Sequence, residues 1–189
     1  MNAHDFADLT HATHGQPLRW WRYGDDFAVA SVIARSGRLL ALPAVRNGAH
    51  CYWGEPAPPL PLYRAATLTE RAQAPVLVVQ GESAADAAAE LFTDHVCVAW
   101  AGGGNGVAKA DVMPLHGRDV ILWPDNDGAG ATAMARLASR LRGVARTVVQ
   151  VAVPRSWPAS WNVTGPLPAG VTVEAPRAPL PGMAPLAVL

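Results

Sequence analysis

Apolar positions in the second half of the chain fall into four short runs, at residues 76–79, 96–100, 119–123 and 147–153. The continuous run 76–79 predicts a strand buried on both faces of a parallel sheet, and the other three, which include Asp119, Thr147 and Gln150, predict further strands. Between them lie segments with helical character. Ser83 opens an alanine-rich stretch reaching about Phe92, with Asp86 three residues on in a capping-box-like arrangement. A second helix is expected over Gly128–Leu141. Strands joined by helices predict parallel pairing, with ligands bound beyond the carboxyl ends of the strands. The first 72 residues differ. Runs at 19–23 and 27–34 flank Gly24-Asp25-Asp26, and Gly37 and Asn47-Gly48 interrupt the next stretch. That pattern predicts a small antiparallel sheet with hairpins at the turn residues. The proline-rich stretch 54–62 suits neither a central strand nor a helix and is expected to be a linker.

The chain therefore divides into a β-rich unit with its linker over 1–72, an α/β domain over 73–165, and a proline- and alanine-rich tail over 166–189. At 189 residues, half of them apolar, it is long enough to bury a real core. Fifteen basic and fifteen acidic residues cancel, so net charge does not advertise a nucleic-acid binder, and any such contact must come from local patches. The two cysteines, Cys51 and Cys97, form no zinc spacing and no disulfide framework. Cys97 reads as a small buried hydrophobe. Nothing approaches the roughly 18 apolar residues of a membrane span. The first fourteen residues lack the layout of a secretory signal, and a cytoplasmic location is expected.

The sharpest chemical signal is Trp123-Pro124-Asp125-Asn126-Asp127-Gly128-Ala129-Gly130. Two carboxylates at a strand's carboxyl end suit magnesium, which takes one or two carboxylates and keeps waters for substrate phosphates. A helix amino terminus capped by an acid gives the same pattern without a metal. An EF-hand loop fails, because its fifth and twelfth positions are Ala129 and Arg136. Gly102–Gly106 is followed by no Gly-Lys-Ser/Thr, so it is no Walker loop. A phosphatase of the Asp-x-Asp-Gly kind is disfavoured by Pro124 and by the late position of the motif.

The order of the blocks resembles the Toprim family, in particular the Toprim segments of bacterial, phage and plasmid primase-like proteins. The matching stretches are Pro75-Val-Leu-Val-Val-Gln-Gly-Glu-Ser-Ala-Ala-Asp-Ala87, Trp100-Ala-Gly-Gly-Gly104, Lys109-Ala-Asp111, 115–130 and Trp157-Pro-Ala-Ser-Trp-Asn162. A looser likeness to the β-rich segment preceding Toprim in mobile-element primases rests on Trp53-Gly54 and Pro61-Leu-Tyr-Arg64.

The resemblance implies a Toprim-like, Rossmannoid, mostly parallel sheet flanked by helices. It implies magnesium held by Asp125 and Asp127, and phosphodiester chemistry in replication of a mobile element or phage. The partners implied are single-stranded DNA or RNA and replication proteins such as a helicase or primase subunit. Gln80 stands where the family has a glutamate, Asn162 where it has a late acid, and Gly165 three positions on. Each acid-to-amide change removes a negative charge and a proton acceptor. Catalysis is therefore expected to be weakened, with Glu82 as a possible substitute acid. Lys109, Arg118, Gly103 and Gly104 are the expected phosphate-binding positions. The alternative is a catalytically inactive module that binds nucleic acid or a replication or defence partner. Of the seven tryptophans, Trp100 and Trp123 are expected in the core, while Trp20, Trp21 and Trp53 could stack bases.

Overall fold

The structure, a computed structural model, describes residues 4–154 and 156–166. Among them two four-stranded sheets form, one antiparallel and one parallel. The tail expected over 166–189 lies, beyond Pro166, outside the described residues.

The antiparallel sheet is a meander of β1 (Arg19–Arg22), β2 (Phe27–Ile33), β3 (Leu39–Asn47) and β4 (His50–Trp53). Its turns fall at 23–26, 34–38 and 48–49, where the glycine and Asx residues predict them. Side chains alternate between its faces. Phe6, Leu9, Ala28, Ala44 and Cys51 pack on one face, with Trp20 and Trp53 stacked beside them at 5.5 Å. On the other face Trp21, Phe27, Val29 and Val45 meet Leu60 and Ala101, which joins this sheet to the rest of the molecule.

The linker is pinned rather than loose. Leu60 exchanges backbone hydrogen bonds with Lys109 and Asp111, and Tyr63 donates to Ala99. A short helix, α1 (Ala66–Glu70), follows. Leu62 and Leu68, which the sequence pattern places in the N-terminal unit, are buried in the core of the parallel sheet. The reason is local: the linker backbone bridges onto residues flanking the strands and carries those leucines inward.

The parallel sheet contains β5 (Val76–Val78), β6 (Val96–Val98), β7 (Asp119–Leu122) and β8 (Thr147–Gln150), in the order β6-β5-β7-β8. The strands end one to three residues before the apolar runs do. Val76, Val78, Val98, Val120 and Leu122 face helix α4 (Gly128–Leu141), which buries Ala133, Met134, Leu137 and Leu141. Leu77, Val79, Cys97, Ile121 and Trp123 face helix α2 (Glu82–Leu91), which buries Ala84, Ala85 and Ala88. Trp100 and Trp123 are core residues, as expected.

Helix α2 begins two residues earlier than a cap at Ser83 predicts. Gly81, at φ +84°, is its cap, and no side chain caps it. Ser83 is already inside the first turn. The glycine-rich stretch after β6 forms a single helical turn, α3 (Gly103–Gly106). The Trp100 indole N–H donates to the Gly103 carbonyl at 2.7 Å. Gly106 approaches Ala101 so closely that a Cβ there would lie 1.7 Å from its carbonyl oxygen.

The strand order places the switch in direction between β5 and β7. From β5 the chain crosses by α2 to β6 on one side, and from β7 it crosses by α4 to β8 on the other. Crevices at such points, beyond the carboxyl ends of the strands, are the preferred ligand sites of open α/β sheets. Gln80 follows β5 and Asp125 follows β7.

Candidate functional site

The Gln80 side-chain oxygen accepts the Asp125 backbone N–H at 3.0 Å, so the turns after β5 and β7 touch. Asp127 is the N-cap of α4. Its carboxylate accepts the Gly130 N–H at 2.7 Å and the Ser160 hydroxyl at 3.2 Å. Gly130 is required by this approach: a Cβ there would lie 2.5 Å from the Asp125 carbonyl oxygen and 2.8 Å from Gln80 Oε1. Asn126 anchors the late segment. Its side-chain amide donates to the carbonyls of Trp157 and Pro158, both at 3.0 Å, and its backbone bonds Trp161 and Ser160. That anchorage brings Asn162 beside Asp125.

Burial, the neighbouring Asp127 charge and a hydrogen bond from Asn162 act together on Asp125. The first two outweigh the third and raise its pKa to about 6. Asn162 also accepts both the Thr164 N–H and hydroxyl, a local turn that fixes its amide.

Glu82 is turned away from the aspartate pair. It is 7% exposed and accepts the Tyr23 hydroxyl at 2.7 Å, a bond across to the antiparallel sheet. Burial pushes its carboxyl up, more than the Tyr23 bond lowers it. One turn along α2, Asp86 accepts from Arg19, the Trp21 indole, the Tyr63 hydroxyl and Arg64. Glu82 and Asp86 together latch α2 to the N-terminal sheet. Their helical spacing, readable in the sequence, puts them on one face. Tyr23 carries no such signal, lying 59 residues away.

The expected basic residues do not join this cluster. Arg118 lies just before β7, a strand's length from Asp125, and its guanidinium holds the carbonyls of Leu68, Arg71 and Ala74. Lys109 is ion-paired with Glu55. Gly103 and Gly104 are exposed in α3, at the carboxyl end of β6 and near Lys109 in the chain. Trp21 is buried between the two sheets, and Trp20 and Trp53 stack on each other.

Next to Gln80 a groove of about 300 Å³ opens between the two sheets. One wall holds Trp21, Ser31 and Leu39, the other Gln80, Glu82 and Asn162. Among the described residues, no group of three or more His, Cys, Asp or Glu side chains converges in a way that could hold a metal ion, and no helix is long and apolar enough to cross a membrane. Compared with family models, curated proteins and solved structures, the chain matches none.

Proposed function

We propose that this chain is a Toprim-like module that works by binding within a nucleic-acid-processing assembly, of the mobile-element or phage replication kind, without catalysing phosphodiester chemistry itself. One observation carries the reading: apart from Asp125, the side chains at the family's acidic positions, together with the substitute acid Glu82, are committed to internal hydrogen bonds. Gln80 holds the Asp125 backbone, Asp127 caps α4, Asn162 closes its own turn, and Glu82 bonds Tyr23. A magnesium ion there would have Asp125, with Asp127 beside it, and two neutral amides where the family has carboxylates. That donor set fits weak coordination and no poised catalytic ion.

A competing reading, magnesium-dependent nicking or priming, is favoured by Asp125. A carboxyl raised to about 6 titrates where a general acid or base is useful. The two part in one experiment. Purified protein is incubated with primed and nicked DNA, single strands, nucleotides and MgCl2, beside an Asp125→Ala variant. The binding-module reading expects no turnover in either. Magnesium-dependent synthesis or cleavage that disappears in Asp125→Ala would overturn it. Titration of MgCl2 against tryptophan fluorescence is expected to show an affinity on the order of millimolar or weaker.

A further inference from the structure

We infer that the outer end of the groove, formed by the β2–β3 hairpin, docks an extended segment of a partner protein whose aliphatic side chains are flanked by aspartate or glutamate. The inference rests on the binding-module reading and names the partner's chemistry and its seat.

Ile33 and Leu39 are directly opposite in the β2–β3 register. They share the groove-facing side of the sheet with Ser31 and Ala41, by the two-residue period of strands. Ile33 is 47% and Leu39 61% exposed. Leu18, 62% exposed, is tied to the same end of β2 by its N–H bond to Ser31. Aliphatic side chains gathered in the open mark an interaction surface.

The turn joining the two strands is closed by hydrogen bonds from Ala34 to Arg38 and from Gly37 to Ala34, both 2.8 Å. It carries Arg35 and Arg38, both exposed, and among the described residues neither has an acidic partner. Arg19, nearer the latch, is already paired with Asp86. The hairpin thus offers an apolar pair beside two unmatched cations, and a complementary ligand brings apolar anchors beside acids.

Two features favour a polypeptide over a nucleic acid. Single strands are held by aromatic platforms and a track of cations, whereas the open side chains here are aliphatic and the unmatched cations of the hairpin are two. The inner groove also carries the Glu82 carboxyl, which opposes a polyanion running through it.

The test pans a phage-displayed random dodecapeptide library on the intact protein, with Leu39→Glu protein as counter-selection. Recovered peptides are then measured by fluorescence anisotropy, with an oligothymidylate as the nucleic-acid probe. Recovered peptides are expected to pair aliphatic with acidic residues. They are expected to bind about tenfold or more weakly to Leu39→Glu and to Arg35→Glu/Arg38→Glu. Affinity should be unchanged for Arg136→Glu/Arg142→Glu, an equal charge change at exposed positions of α4 and its end. Circular dichroism checks each fold, and Ile33→Ser replaces Leu39→Glu if the latter does not fold.

The inference is overturned by any of four results. No peptide is enriched, or peptides bind all variants alike. Oligothymidylate, and not peptide, loses affinity with Arg35→Glu/Arg38→Glu. Or the wild type is a dimer that Leu39→Glu dissociates. Magnesium-dependent turnover, by contrast, would remove the underlying reading and leave peptide binding untouched.

Discussion

Gln80 and Asp125 are joined by one hydrogen bond, from the Asp125 backbone N–H to the Gln80 side-chain oxygen, at 3.0 Å. A glutamate there would accept the same N–H but add a charge beside two aspartates. Gln80→Glu is therefore expected to lower stability in EDTA, by on the order of 1 kcal/mol, and to regain it in MgCl2. Thermal unfolding with and without magnesium checks this. If magnesium shifts Gln80→Glu no more than wild type, position 80 is not a metal-ligand position.

Gly130→Ala is expected to cost about 1–3 kcal/mol, because the new methyl meets Asp125 backbone at 2.5 Å and Gln80 at 2.8 Å. Gly128→Ala, two residues earlier with nothing within 4 Å, should be neutral or stabilising by up to about 1 kcal/mol. Urea unfolding of the pair reads the difference, and equal losses would contradict the described packing.

If Asp127 is mainly a cap, Asp127→Ser keeps stability and Asp127→Ala loses about 1 kcal/mol. The cap bond to Gly130 is 2.7 Å. Measured without divalent ions, a serine variant as unstable as the alanine one would show that the charge, not the cap, matters.

Asp125 predicts a pH dependence. Its carboxyl is raised from 3.8 unfolded to about 6 folded, so the folded state holds the proton more tightly. Its favourable contribution is present below about 4, and is lost as pH rises to about 6. Asp125→Asn should therefore exceed wild-type stability at pH 7. The margin is roughly 1–2 kcal/mol, reduced by the group's partial access to water, and should shrink toward pH 4. Glu82 is raised in the same direction in both proteins, so their difference isolates Asp125. Chemical unfolding across pH 4–8 reads it, and a flat difference would show that the group is not shifted.

Tyr23→Phe removes the donor to a buried carboxyl and is expected to cost about 1–3 kcal/mol. Tyr23→Phe with Glu82→Leu should recover part of the loss, since no polar group is then left unpaired. No recovery in a double-mutant cycle would mean that the 2.7 Å bond does not couple the two sheets.

Much of the fold is legible in the sequence because it depends on short-range pattern. The runs around Leu77, Cys97 and Ile121 suit buried strands, whereas the strand around Val148 lies half-buried at the edge of the sheet. Gly24, Gly37 and Gly48, all at positive φ, mark turns that other residues adopt at a cost. The start of α2 departs from the pattern because Ser83 has cap chemistry, while the cap is the conformation of Gly81.

What the sequence by itself determined is the succession of strands and helices and their parallel pairing, since periodicity and connection length depend on local patterns. That β5 and β7 are neighbours, which brings Gln80 to Asp125, was decided by the tertiary structure. Tertiary structure alone decided what each polar group does. Glu82 went to Tyr23, Lys109 to Glu55, and Arg118 to the carbonyls around α1. A side chain's partner is set by packing between segments tens of residues apart, and a buried polar group must take whichever partner that packing brings.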